Sequence, residues 1–69
     1  MVMVRVHMME GRSKEQKAEL IARLTAVVTE TLSVSPEDVR VILVEVSPDA
    51  WGIAGLPASA RGHAAGGGR

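Results

Sequence analysis

Three residues bring guest-binding chemistry to a chain otherwise dominated by aliphatic side chains: Arg12, Arg40 and Trp51. Arg12 directly precedes Ser13-Lys14-Glu15-Gln16, a capping-box pattern. The serine hydroxyl accepts from the Gln16 backbone N–H, and the Gln16 side chain reaches back to the Ser13 N–H. A helix should begin here, and its mouth favours an anion because of its free N–H groups and the positive end of its dipole. With a guanidinium beside that mouth, a carboxylate-bearing ligand is a sensible guest. The plainer alternative for Arg12 is a solvated charge that complements local acids such as Glu10.

Arg40 lies in an otherwise apolar run, where an unpaired charge is expensive. Its plainer role is an ion pair across a subunit boundary, with Glu45 or Glu10 of another chain. Trp51, the single aromatic residue, suits an interface anchor, and in an oligomer it can both anchor and wall a pocket. His7 reads as a satisfied structural histidine more than a catalyst. Glu10 and Glu45 are general-base candidates, although exposed or ion-paired carboxylates are much commoner. The glycine-rich end carries no phosphate-loop spacing and is assigned no site.

The elements that position these residues follow from periodicity. From Val2 to Met8, Val2, Val4, Val6 and Met8 alternate with Met3, Arg5 and His7, which predicts a strand with one apolar face. Gly11 breaks it. From Ser13, apolar Leu20, Ile21, Leu24, Val27, Val28 and Leu32 recur at three- and four-residue steps, giving a helix about 28 Å long at roughly 1.5 Å per residue. Pro36 disfavours helical geometry in Ser35 and stops the helix, and Ser35-Pro36 suits a short turn of its own.

Val39 to Val46, with six of eight residues Val, Ile or Leu, suits a strand buried on both faces. Strand, helix and strand on short links make a βαβ unit with parallel strands and the helix on one face. Ser47 to Ala50 is a polar turn. Trp51 to Gly55 suits a short hairpin or an arm that reaches a neighbour. Residues 1–61 are expected to form one domain, with 62–69 a free Gly-rich tail.

Composition narrows the function. A 69-residue chain hides little apolar surface and normally needs disulfides, metal or oligomerisation. There is no Cys, and the two histidines, His7 and His63, lie far apart, so disulfides and a His-built metal site are not expected. Oligomerisation remains, and with 46% apolar residues the excess aliphatic surface reads as subunit interface. Eight acidic and eight basic residues are interspersed to zero net charge, with no basic block or aromatic stacking platform, so nucleic-acid binding is not expected. Arg5 and His7 interrupt the N-terminal apolar run, so neither signal peptide nor membrane span is expected and a cytoplasmic location is.

The text Glu10-Gly11-Arg12-Ser13 with Glu15-Gln16-Lys17, then Val39-Arg40-Val41-Ile42 with Glu45-Val46, and Trp51-Gly52-Ile53 followed by Gly55 resembles the 4-oxalocrotonate tautomerase family over about residues 2 to 60. The resemblance implies an α/β (α+β) fold of the tautomerase/MIF-like kind. A β-α-β protomer with parallel strands pairs into dimers, and three dimers close into a hexamer with sites at protomer boundaries. It implies no cofactor. In the family, an amino-terminal proline of low pKa shuttles a proton on an enol or dienol acid while arginines hold the substrate. By position, Arg12 resembles the carboxylate-binding arginine, Arg40 the arginine lent by a neighbouring protomer, and Trp51 an aromatic pocket wall. Met9 falls among the substrate-binding positions.

The departure lies at Val2, which stands where the resemblance puts the proline. If Met1 is removed, the primary amine of Val2 can act as a base, since an α-amino group ordinarily has a pKa of roughly 7.7 to 8.0 and burial lowers it. If Met1 is kept, the amine shifts by one residue. Two functions of different class are expected. One is a tautomerase-like isomerase on small enol or 2-oxo acids with an impaired proton shuttle. The other is a non-catalytic subunit of a mixed hexamer, or a scaffold that binds small acids. Water addition or dehalogenation, as in other branches of the superfamily, is a further expectation that no residue here selects.

Overall fold

The computed structural model describes residues 1–62. Strand β1 spans Val2–Met9, helix α1 Lys14–Leu32 and strand β2 Val39–Val46. The chain then forms a hairpin of two short strands, β3 (Gly52–Ile53) and β4 (Leu56–Pro57). β1 and β2 lie side by side as a parallel two-stranded sheet, which gives the expected β-α-β order. Each of these strands therefore has one neighbour and one open edge among the described residues.

Local chemistry explains the boundaries. Gly11 has a φ of 121°, a value that side chains with a Cβ rarely adopt, and it turns the chain out of β1. Ser13 then caps α1, with Gln16 N–H donating to Ser13 Oγ at 3.0 Å and Ser13 N–H donating to Gln16 Oε1 at 3.0 Å. The capping box expected from the sequence is complete. At the far end the C-cap Ser33 sits in the left-handed region at φ 56°, ψ 46°. A 3-10 turn, Pro36–Asp38, capped by Ser35, leads into β2, and a second, Pro48–Ala50, capped by Ser47, leaves it.

The chain divides into two compact units. The first contains Met1–Val6 and Ser13–Leu43, and the second His7–Arg12 and the chain from Val44 onward. In the first, Val2, Val4 and Val6 are half-buried while Met3 and Arg5 are exposed, the alternation expected of a strand covered on one face. On α1 the half-buried stripe includes Leu20, Leu24, Thr25, Val28 and Thr29. The two threonines fit because Thr25 Oγ1 donates to the Ile21 carbonyl at 2.8 Å and Thr29 Oγ1 to the Ala26 carbonyl at 2.9 Å, so neither hydroxyl is left unmet.

On β2, within the single chain, Val39 is buried and Val41 and Leu43 half-buried, whereas Arg40, Ile42 and Glu45 are exposed. One helix covers one face of a two-stranded sheet and leaves the other open. In the second unit, the Glu10 N–H donates to the Val46 carbonyl at 3.0 Å. Its hairpin pairs Gly52 with Pro57 and Ile53 with Leu56. The turn residues Ala54 and Gly55 have φ of 52° and 88°, the positive pair that a type I′ hairpin turn requires.

In the first unit Val39 is buried, in the second Pro48 and Ala58 are, and among the described residues no large side chain is fully buried. Met1, Met3, Val27, Leu32 and Leu56 are all more than half exposed. Among the described residues no helix is long and apolar enough to cross a membrane, and no group of His, Cys, Asp and Glu is arranged to hold a metal ion. The tail expected from Gly62 lies, beyond Gly62 itself, outside the described residues. Gly62 ends a last 3-10 turn, Ala58–Arg61.

Candidate functional site

Arg12 is half-buried, and its Nη1 is closed off from solvent without a hydrogen-bond acceptor. It is the one buried side-chain nitrogen or oxygen among the described residues in that condition. A buried donor left unmet costs about 1–3 kcal/mol, more when charged. The solvated-charge alternative therefore does not describe this nitrogen. The helix mouth itself contributes less than the sequence suggests. The capping box uses the Ser13 and Gln16 N–H groups internally, so the case for an anion falls on the guanidinium.

Trp51 and Met9, both half-buried, belong to the same unit as Arg12. Trp51 is the residue between the second 3-10 turn and β3, and its carbonyl accepts the Ala58 N–H at 2.7 Å. That bond continues the hairpin ladder by one pair beyond Gly52 and Pro57. The arm expected at Trp51 to Gly55 is thus a hydrogen-bonded hairpin.

Val2 and Arg40 belong to the first unit. Val2 is half-buried at the start of β1, behind an exposed Met1. Arg40 is exposed, so the penalty expected for a charge in an apolar strand does not arise within one chain. Its Nη1 donates to the Glu37 carbonyl at 2.6 Å and to the Val39 carbonyl at 3.3 Å. These bonds hold the guanidinium back along the chain and leave its other N–H groups available. His7, expected to be satisfied within the fold, is exposed. Glu10 and Glu45, the general-base candidates, are exposed too.

Glu37, whose carbonyl holds Arg40, is exposed. Its carboxyl is held below the ordinary glutamate range, first by the Ser35 hydroxyl and then by its own backbone N–H. Sequence reasoning missed two residues, Asp49 and Ser59. Ser59 Oγ donates to Asp49 Oδ1 at 2.6 Å across ten positions of chain. The local half of that signal was present in Ser47-Pro48-Asp49, a second copy of the Ser-Pro-acid pattern at Ser35-Pro36-Glu37. The partner, ten residues away, was not.

A family model described as tautomerase enzyme matches residues 3–61. The chain belongs to the tautomerase family. Among tautomerases it is 47% identical over 60 residues to a probable tautomerase of Ralstonia nicotianae, covering 87% of this chain and 86% of that one. It is 37% identical over 63 residues to the 2-hydroxymuconate tautomerase of Comamonas testosteroni, covering 91% of this chain and all of the relative. A heterohexamer 4-oxalocrotonate tautomerase from Chloroflexus aurantiacus superposes with a TM-score of 0.81 at 41% identity, covering 86% of this chain and 95% of that one. The family expected from the Glu10–Lys17, Val39–Val46 and Trp51–Gly55 text is therefore the family found, and its members are isomerases.

Proposed function

We propose that this tautomerase-family chain binds small enol or 2-oxo carboxylic acids and interconverts their keto and enol forms weakly. The observation that carries the reading is the buried, acceptor-free Nη1 of Arg12. A substrate carboxylate supplies the missing acceptor in a charge-assisted bond. The second arginine, Arg40, comes from a neighbouring protomer and faces the oxygen on which charge develops, while Trp51 and Met9 wall the site against water. Support for assembly comes from the described residues, among which no large side chain is fully buried and Met1 and Met3 are 83% and 60% exposed.

The proton shuttle is the weak part. An amine at residue 2 takes a proton from one atom of the substrate and returns it to a carbon, and Val2 offers a primary amine only after loss of Met1. With Met1 kept, the amine is displaced by about 3.3 Å along an extended chain, more than the roughly 2.6–3.2 Å reach of a general base. The purified protein should turn over 2-hydroxymuconate or phenylenolpyruvate weakly. Val2→Pro, prepared so that Met1 is cleaved, should gain roughly a hundredfold or more, within the range that a positioned base supplies. A folded, assembled Val2→Pro that is as inert as its parent would overturn the reading of Arg12 and Arg40.

A second reading has its own observation. A relative of like fold, that of Chloroflexus aurantiacus, is a heterohexamer, so this chain is alternatively a subunit that lends Arg40 to a proline-bearing partner. Native mass spectrometry separates the two readings. A stable homohexamer of this chain alone counts against the mixed assembly.

A further inference from the structure

We propose that the Asp49–Ser59 hydrogen bond is a positioning clasp for Trp51, one that fixes where the indole stands and so how well a 2-oxo acid is enclosed. The proposal rests on Trp51 being a wall of the acid site. Asp49, Trp51, Ala58 and Ser59 all lie in the second unit. Two consecutive residues make two bonds that bracket Ala50. The Ala58 N–H donates to the Trp51 carbonyl at 2.7 Å, and Ser59 Oγ donates to Asp49 Oδ1 at 2.6 Å. The first holds the Trp51 main chain, and the second closes the base of the loop in which Trp51 sits.

Both ends of the clasp are seated. On the Asp49 side, Pro48 is buried, Asp49 N–H donates to Ser47 Oγ at 3.2 Å, and Ala50 N–H donates to the Ser47 carbonyl at 2.8 Å. On the Ser59 side, Ala58 is 0% exposed. The contrast with the other Ser-Pro-acid turn identifies Asp49 as the residue given a different task. There the Glu37 carboxylate folds back to the hydroxyl of its own cap, Ser35. Asp49, one methylene shorter, accepts instead from a serine ten positions away. A hydroxyl on a carboxylate at 2.6 Å is in the short, charge-assisted range. Both residues are exposed, so the bond adds little to global stability and its effect falls on the position of the loop.

Trp51 reports on itself, because the chain has one Trp and neither Tyr nor Phe. Ser59→Ala and Asp49→Ala should each shift Trp51 emission to the red and raise its acrylamide quenching in the ligand-free protein, with far-ultraviolet circular dichroism and assembly unchanged. The double variant should be no worse than either single one. Binding of 2-oxoadipate, followed by calorimetry, should weaken about fivefold in the single variants, the size set by losing one hydrogen bond. Ser59→Thr, which keeps the hydroxyl, should restore both emission and affinity.

Unchanged emission and quenching in both alanine variants would overturn the clasp. If either alanine variant fails to fold, Asp49→Leu, which keeps the size and removes the acceptor, carries the same two expectations. Trp51→Ala tests the underlying reading separately. If it leaves 2-oxoadipate affinity unchanged, Trp51 is not a wall of the site, while the emission of Ser59→Ala still decides whether the clasp holds the loop.

Discussion

Arg12 and Arg40 differ in what each lacks. Arg12 Nη1 has neither solvent nor acceptor, whereas Arg40 is in solvent with one nitrogen tied to two carbonyls. On the proposed reading, a carboxylate guest would complete the first, and the second would serve a neighbouring protomer. Beside Arg40, Glu37 provides a titration test. Its folded-state pKa lies below the ordinary value, so any stability it contributes is present above the unfolded pKa and is lost as pH falls through the folded one. Ser35→Ala should return the Glu37 carboxyl toward the ordinary range, read from its side-chain NMR shifts against pH. No change would show that the Ser35 hydroxyl is not the cause. At this scale the capping box was legible, since Ser13 and Gln16 meet through three residues of chain. The orphaned Arg12 nitrogen and the Asp49–Ser59 bond were not, because burial and ten-residue contacts depend on the fold.

At the scale of elements, punctuation explains what was legible. β2 begins and ends where Ser-Pro turns bracket it, and its bounds match the predicted Val39 to Val46. Its apolar run reports what the strand must cover, and not which molecule covers its second face. β3 and β4 have two residues each, too few for periodicity, and only the turn residues hinted at them. Helix α1 closes on Ser33 in the left-handed region, which costs an L-residue with a side chain about 1–2 kcal/mol relative to right-handed geometry. Ser33→Gly should therefore raise stability by about 0.5–1 kcal/mol after the entropy lost by glycine. Chemical denaturation would measure it, and a fall in midpoint would mean that the Ser33 side chain makes a contribution of its own.

For the whole molecule, the deciding fact is how little one chain hides. With no large side chain fully buried among the described residues, folding is expected to be linked to association, so the melting temperature should rise as protein concentration is raised over about a hundredfold range. A melting temperature independent of concentration would mean that the single chain is stable alone. Family and β-α-β order were legible at this scale because they reside in spacing; which surfaces one chain leaves exposed was not. The open edge of β1 has a further consequence. In Val-Met-Val-Arg-Val-His-Met-Met, the exposed Arg5 stands mid-strand between apolar neighbours. An unpaired edge is a template for any extended segment, and a charge at its centre disfavours indiscriminate stacking. Arg5 thus stands where a charge opposes edge-to-edge pairing of single chains.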